Sequence, residues 1–240
     1  NPFLAVVWFH APHLPCVASK EDVESYADTD PKLSGLHLNY YGCVSALDRA
    51  VGKLRAHLRK HRIAENTLVV FCSDNGPEGS ERDPGRQGDF RGRKRSLYEG
   101  GVRVPSLLEW PARIKPGTSS EGATCTVDYF PTILDLVGIE MPDDRPLDGI
   151  SLVPLFDGNL ESRPSPLGFH IRGQAAWHDG DWKAYCKKVD SDNWELYNLK
   201  DDPHEKKNRA ADKLLKLEAM IGAWEKWKAS VEASDQGGDY

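Results

Sequence analysis

Two unbroken apolar runs separated by one long amphipathic stretch constrain this chain most. Phe3-Leu4-Ala5-Val6-Val7-Trp8-Phe9 shows no polar alternation, the pattern of a strand covered on both faces. Leu68-Val69-Val70-Phe71-Cys72 repeats it. Between them Val44, Leu47, Val51, Leu54 and Leu58 recur at steps of three and four, which puts one apolar stripe along a helix over residues 39–62. Strand, helix, strand in this order predicts a right-handed parallel crossover. Residues 3–9 and 68–72 are therefore expected side by side in an α/β sheet that is mostly parallel.

Beyond residue 104 the pattern shortens. Residues 104–110 read as a third strand. Residues 126–137 read as a helix with Pro131 in its first turns and Gly138 as its stop. Proline and glycine then accumulate over residues 141–166, which we take as a linker. Short turn-bounded segments at 167–172, 175–178, 183–187 and 194–199 predict a small antiparallel sheet. Leu217, Met220, Ile221, Trp224 and Trp227 give the last helix, over residues 214–227, one apolar face. The expected organisation is a catalytic α/β portion over residues 1–140, the linker, an antiparallel subdomain over 167–230, and a disordered tail over 231–240.

Charge narrows the partners. The 240 residues carry a net charge of −6 and a pI near 5.8, which argues against nucleic acid. Yet Arg82, Arg86, Arg91, Arg93, Lys94, Arg95 and Arg103 crowd one loop, a distribution suited to a small anion. No apolar run is long enough to span a membrane. The odd cysteine set, at 16, 43, 72, 125 and 186, matches no zinc or redox spacing.

The chemistry-bearing residues sit at strand ends. Asp74 and Asn75 follow Phe71-Cys72-Ser73, and in open α/β sheets sites lie outside the carboxyl ends of strands. One charged and one neutral oxygen suit Ca²⁺ or Mg²⁺, although Asp-Asn-Gly is equally the composition of a plain turn. Lys94, flanked by Arg93 and Arg95, can bind a tetrahedral anion or a leaving oxygen. Glu99 could pair with one of these arginines. His10 and His13 close the first run, where prolines forbid the helix that a His-x-x-His metal pair needs. An acid or anion-donor role fits them better. The remaining histidines are assigned to structure. No nucleophile elbow and no phosphate-binding glycine loop occurs.

Taken in order, His10-Ala11-Pro12-His13, Ser73-Asp74-Asn75-Gly76-Pro77-Glu78, Gly92-Arg93-Lys94-Arg95-Ser96-Leu97-Tyr98-Glu99-Gly100-Gly101, Val127-Asp128-Tyr129-Phe130-Pro131-Thr132, Leu147-Asp148-Gly149 and Trp194-Glu195-Leu196-Tyr197-Asn198 resemble the blocks of the formylglycine-dependent sulfatases. The branch they are most similar to is that of the arylsulfatases and N-acetylgalactosamine-6-sulfatases. The resemblance implies an alkaline-phosphatase-like α/β fold and a sulfuric-ester hydrolase acting on aryl or carbohydrate sulfates. It implies His13 and Lys94 as catalytic contacts to the sulfate, His10 and Arg93 as further substrate contacts, and Asp74 and Asn75 as calcium ligands.

The family's nucleophile motif, Cys/Ser-x-Pro-x-Arg, does not occur in these residues, and Cys16-Val17-Ala18-Ser19-Lys20 does not match it. The resemblance therefore implies an N-terminally truncated chain, inactive alone, with the formylglycine and further calcium ligands in a preceding segment. It also implies a periplasmic, secreted or lysosomal setting. Two other readings stay open. One is a non-catalytic remnant that binds sulfated glycans. The other is a phosphoryl or phosphonate hydrolase of the same superfamily.

Overall fold

The computed structural model describes residues 2–29, 32–141, 143–158 and 162–239. Pro142 and residues 159–161 of the expected linker, and Tyr240 of the expected tail, lie outside the described residues.

The first helix, α1 (Lys20–Glu24), is capped by the Ser19 side chain, which accepts from Asp22 N at 3.1 Å. It packs on α2 (Gly35–Lys60), where Arg49 grips Asp22 through two bonds of 2.6 and 2.7 Å. The α2 stripe is only partly covered: Leu58 is buried, but Val44 and Leu54 remain exposed. Two short strands follow, β1 (Val69–Cys72) and β2 (Ser106–Glu109), with α3 (Glu99–Val102) between them. Arg55 of α2 clamps Glu109 of β2 with bonds of 2.6 and 2.7 Å.

Here the structure corrects the expected topology. Strand β1 pairs with β2, and the pairing is antiparallel, running from Val69 opposite Glu109 to Cys72 opposite Ser106. Residues 3–9 do not form the expected parallel neighbour of β1. They lie outside any sheet ladder, with Phe3, Leu4, Val6, Val7 and Trp8 exposed. An apolar strand of this kind needs cover on both faces and a partner at its edge. Among the described residues neither is supplied.

Further on, α4 (Tyr129–Val137) ends as the sequence predicts, at Gly138 with φ 67°. The segment read as a linker is tied down rather than free. It carries α5 (Val153–Phe156) and converges on buried Asp128. That carboxylate takes Arg163 in a bidentate pair of 2.7 and 2.9 Å and accepts from Cys125 N and Ile150 N.

The C-terminal sheet forms as expected. Strands β3 (Leu167–Ile171), β4 (Gln174–Asp179), β5 (Trp182–Cys186) and β6 (Trp194–Asn198) follow one another as an antiparallel meander. Strand alternation gives the sheet two apolar faces. Ala175, Trp177, Ala184, Cys186 and Leu196 pack on α6 (Leu214–Asp235) through Leu217, Met220 and Trp224. Ala176, Tyr185 and Tyr197 point the other way and bury Leu97 and Tyr98. Helix α6 runs through residues 231–235, inside the segment expected to be a disordered tail, because its last turns continue the helical ladder past Trp227.

Candidate active site

The second sheet face matters because Leu97 and Tyr98 belong to the basic loop. Tyr98 donates to Glu195 Oε2 at 2.6 Å, and Tyr197 donates to the same oxygen at 2.6 Å. Burial, and then the Glu195 charge, push both phenols well above their ordinary value. Arg91 lies 3.9 Å over the Tyr98 ring and donates to the Tyr197 hydroxyl at 2.8 Å. The loop's root is thus fastened to the C-terminal sheet.

A second fastening is ionic. Lys183 of β5 is 1% exposed, and its ammonium lies 2.8 Å from Glu99 Oε1 and 2.9 Å from Glu205 Oε1. The Glu205 contact is a charge pairing only, since that oxygen has no hydrogen bond. The other Glu205 oxygen accepts from Glu99 N at 2.7 Å, and Arg103 holds the second Glu99 oxygen at 2.6 Å. Burial works to raise the Glu99 carboxyl, but Lys183 and Arg103 outweigh it and hold it low. Burial wins at Glu205 and pushes it up. The same burial pushes the His178 imidazole down. Glu99 thus pairs not with Arg93 or Arg95 but with Arg103, and also with a lysine the sequence reading passed over.

Glycines bring the Asp74 turn onto this loop. A β-carbon at Gly76 would lie 1.9 Å from Gly100 O, and within the loop itself one at Gly101 would lie 2.0 Å from Ser96 O. No side chain fits between these backbones. Gly76 N donates to Gly101 O at 2.9 Å, and Lys94 N donates to Pro77 O at 3.1 Å. Gly76, one residue after Asn75 and two after Asp74, therefore ties both to the Lys94 loop through main-chain contacts. Asn75 donates through Nδ2 to Gly76 O at 2.9 Å, which leaves its Oδ1 for a cation. The Asp74 carboxylate is exposed and has no hydrogen-bond or ion-pair partner among the described residues.

Lys94 meets His13 directly. Its ammonium is 3.2 Å from His13 Nε2, while His13 Nδ1 lies 2.6 Å from Leu14 O. A carbonyl only accepts, so the proton belongs on Nδ1 and Nε2 accepts from the ammonium. The ring of His10 stands 5.5 Å from that of His13. Glu78 also reaches the Lys94 ammonium, at 3.4 Å, and pairs with Arg95. Sequence reasoning gave Glu78 no role, although it ends the same motif as Asp74.

Arg93 is placed differently from the other predicted contacts. Its guanidinium donates to Gln87 Oε1, Glu78 O and Gly85 O at 2.6, 3.0 and 2.8 Å. In this arrangement it staples the loop from within. Of the basic residues crowded here, Arg91, Arg93, Arg95 and Arg103 are all engaged by partners inside the protein. Clefts of about 80 and 200 Å³ occur at the end of α2 and between β4 and α6. Neither includes His13, Asp74, Asn75 or Lys94.

The sulfatase family model matches residues 1–139, and the model described as N-sulphoglucosamine sulphohydrolase, C-terminal, matches residues 87–222. Rat steryl-sulfatase is 39% identical over 65% of this chain and 30% of its own length. Dog N-acetylgalactosamine-6-sulfatase is 35% identical over 77% of this chain and 34% of its own length. The crystal structure of Ps i-CgsB in complex with k-i-k-neocarrahexaose superposes with a TM-score of 0.80 at 33% identity, over 92% of this chain and 48% of that one. The chain thus spans about a third of the curated relatives it matches. Its fold is the alkaline-phosphatase-like α/β fold of the sulfatases, and the chain belongs to the sulfatase family.

Proposed function

We propose that these residues supply the anion-binding and part of the metal-binding machinery of a sulfuric-ester hydrolase acting on an aryl or carbohydrate sulfate. The observation that carries this reading is the Lys94 ammonium, 3.2 Å from His13 Nε2, on a loop locked to the Asp74–Asn75 turn through Gly76 and Gly101. The carbohydrate arm rests on the N-acetylgalactosamine-6-sulfatase relative and on the neocarrahexaose complex. The proposed setting is periplasmic, secreted or lysosomal. Among the described residues no helix is long and apolar enough to cross a membrane.

In this reading Lys94 and His13 face the sulfuryl oxygens. Lys94 donates to an oxygen on which charge builds as the ester bond breaks. His13, whose Nε2 accepts from the ammonium, keeps Lys94 aimed, so a proton for the leaving oxygen comes from that ammonium. His10 is placed to support His13 from the same turn. Arg93 keeps the loop in shape from inside and can reach substrate only by releasing its carbonyl partners.

The donor set at Asp74 and Asn75 fits a hard cation, since one unpaired carboxylate and one free amide oxygen adjoin each other. A bound calcium would supply Lewis-acid charge for the sulfuryl group. These two residues do not fill its shell, and no cluster of three ligating side chains occurs among the described residues. We expect calorimetry to show calcium binding weaker than about 10⁻³ M, because too few oxygens are provided, with Asp74→Ala removing it. Tight binding that survives Asp74→Ala would place the ligands elsewhere.

Formylglycine does not fit any residue present, since Cys/Ser-x-Pro-x-Arg is absent from the sequence. The test of the function is an assay on an activated aryl sulfate. The 240 residues alone should give no turnover. The same residues joined to a segment carrying a matured Cys/Ser-x-Pro-x-Arg motif should give clear turnover. Turnover by the 240 residues that is abolished by changing one of their own Ser or Cys residues would require a different nucleophile and reject this reading.

A further inference from the structure

Glu78 places a negative charge directly against the proposed anion site. Its Oε2 lies 3.4 Å from the Lys94 ammonium. Its Oε1 pairs with Arg95 and accepts from Gly79 N at 3.3 Å. Arg93 holds the Glu78 carbonyl at 3.0 Å, so the backbone behind the carboxylate is fixed. Both charged ends are mostly shielded, with 27% of the Glu78 and 19% of the Lys94 side chain exposed.

We infer that Glu78 sets the charge selectivity of this site, offsetting Lys94 and Arg95 so that a singly charged sulfate monoester is favoured over a doubly charged phosphate monoester. The inference rests on the sulfatase reading above and names the property by which the site would tell its substrate from the nearest isostere.

Coulomb energy is linear in the ligand's charge. A sulfate monoester carries one negative charge. A phosphate monoester carries nearly two at pH 8, because its second ionisation lies near pH ~6. Each unit of charge on the ligand meets the same Glu78 carboxylate. The penalty for the dianion is therefore twice that for the monoanion in free energy, and the factor in affinity is squared. The carboxylate is ionised throughout this range, since its hydrogen bond to Arg95 holds its pKa down to about 2. Neutralising Glu78 also frees Lys94 and Arg95, which acts in the same direction and with the same dependence on ligand charge.

The test uses the 240-residue chain, which lacks the nucleophile motif and so should not consume its ligand. Amide spectra of the parent, Glu78→Gln, Glu78→Asp and Lys94→Met are titrated at pH 8 and low salt with 4-nitrophenyl sulfate and 4-nitrophenyl phosphate. Glu78→Gln should tighten the sulfate ester by about threefold and the phosphate ester by about tenfold, as a charge removed at this range predicts. Glu78→Asp keeps the charge and should keep the parent's preference. Equal gains for the two esters, or weakening of both, would reject Glu78 as the discriminator while leaving the anion site intact. If neither ester perturbs the Lys94 loop, or if Lys94→Met binds both as well as the parent, the anion-site reading itself falls. Unchanged amide positions on β3–β6 confirm that each variant is folded.

Discussion

Lys183→Met destabilises the fold by about 3–5 kcal/mol, the usual result of removing one partner from a buried ion cluster. The side chain is 1% exposed and stands between two carboxylates that are themselves buried. Methionine fills the volume but leaves Glu205 with no cation and Glu99 with Arg103 alone. The pH dependence identifies the cause. In the parent Glu99 is held below its ordinary 4.5, so its contribution is present above that value and lost as pH falls through the lowered pKa. Glu205 is pushed above 4.5, so its contribution is present below that value and lost as pH rises through the raised pKa. In the variant both carboxyls are penalised when charged. The deficit should be greatest at neutral pH and should shrink as pH falls toward 4.5. Urea melts of parent and variant across pH 4–8 measure this. A deficit that is constant with pH would mean that packing rather than charge is lost.

Lys94→Ala lowers kcat/KM on an aryl sulfate by about 10²–10³-fold in a protein that carries the nucleophile motif, the scale seen when one charge-stabilising donor is removed. Among the described residues the ammonium touches only His13 and Glu78, so its loss leaves the loop's anchors at Tyr98 and Glu99 in place. Lys94→Arg should recover part of the rate, because charge is restored with a different donor geometry. The drop should appear in kcat more than in KM, since charge on the sulfuryl oxygens grows toward the transition state. Loss confined to KM would make Lys94 a ground-state binding residue.

Local periodicity revealed the elements but not their partners. The meander, α4 with its Gly138 stop and most of α2 were readable because each depends on residues close in sequence. Pairing of residues 3–9 with β1 depends on neighbours far away, and apolar character alone could not say whether they are present. Site residues followed the same division. Asp74 and Asn75 stand out by type just past the end of β1, and Lys94 stands out in its basic loop. Lys183 left a fainter signal, a lone lysine within Trp182-Lys183-Ala184-Tyr185-Cys186. A charge in so apolar a strand requires a buried counter-ion, and that requirement was the readable clue to Glu99 and Glu205. Arg93 and Arg95 looked like ligand-facing cations. Their partners, main-chain carbonyls and Glu78, are set by loop conformation, which composition does not encode.

The seam at Gly76, Gly100 and Gly101 divides this surface into a fixed part and an interchangeable one. Spacing between the Asp74 turn and the Lys94 loop is enforced by main-chain atoms too close for any β-carbon, so it does not depend on which side chains surround it. Residues 79–90 leave this seam and return to it, and Arg93 holds them through the carbonyl at Gly85 and the side chain of Gln87. Such a loop can change length and chemistry while the reactive spacing stays constant. For an engineer this is the segment to exchange between relatives when a different ligand is wanted, with the glycine seam kept as the graft junction.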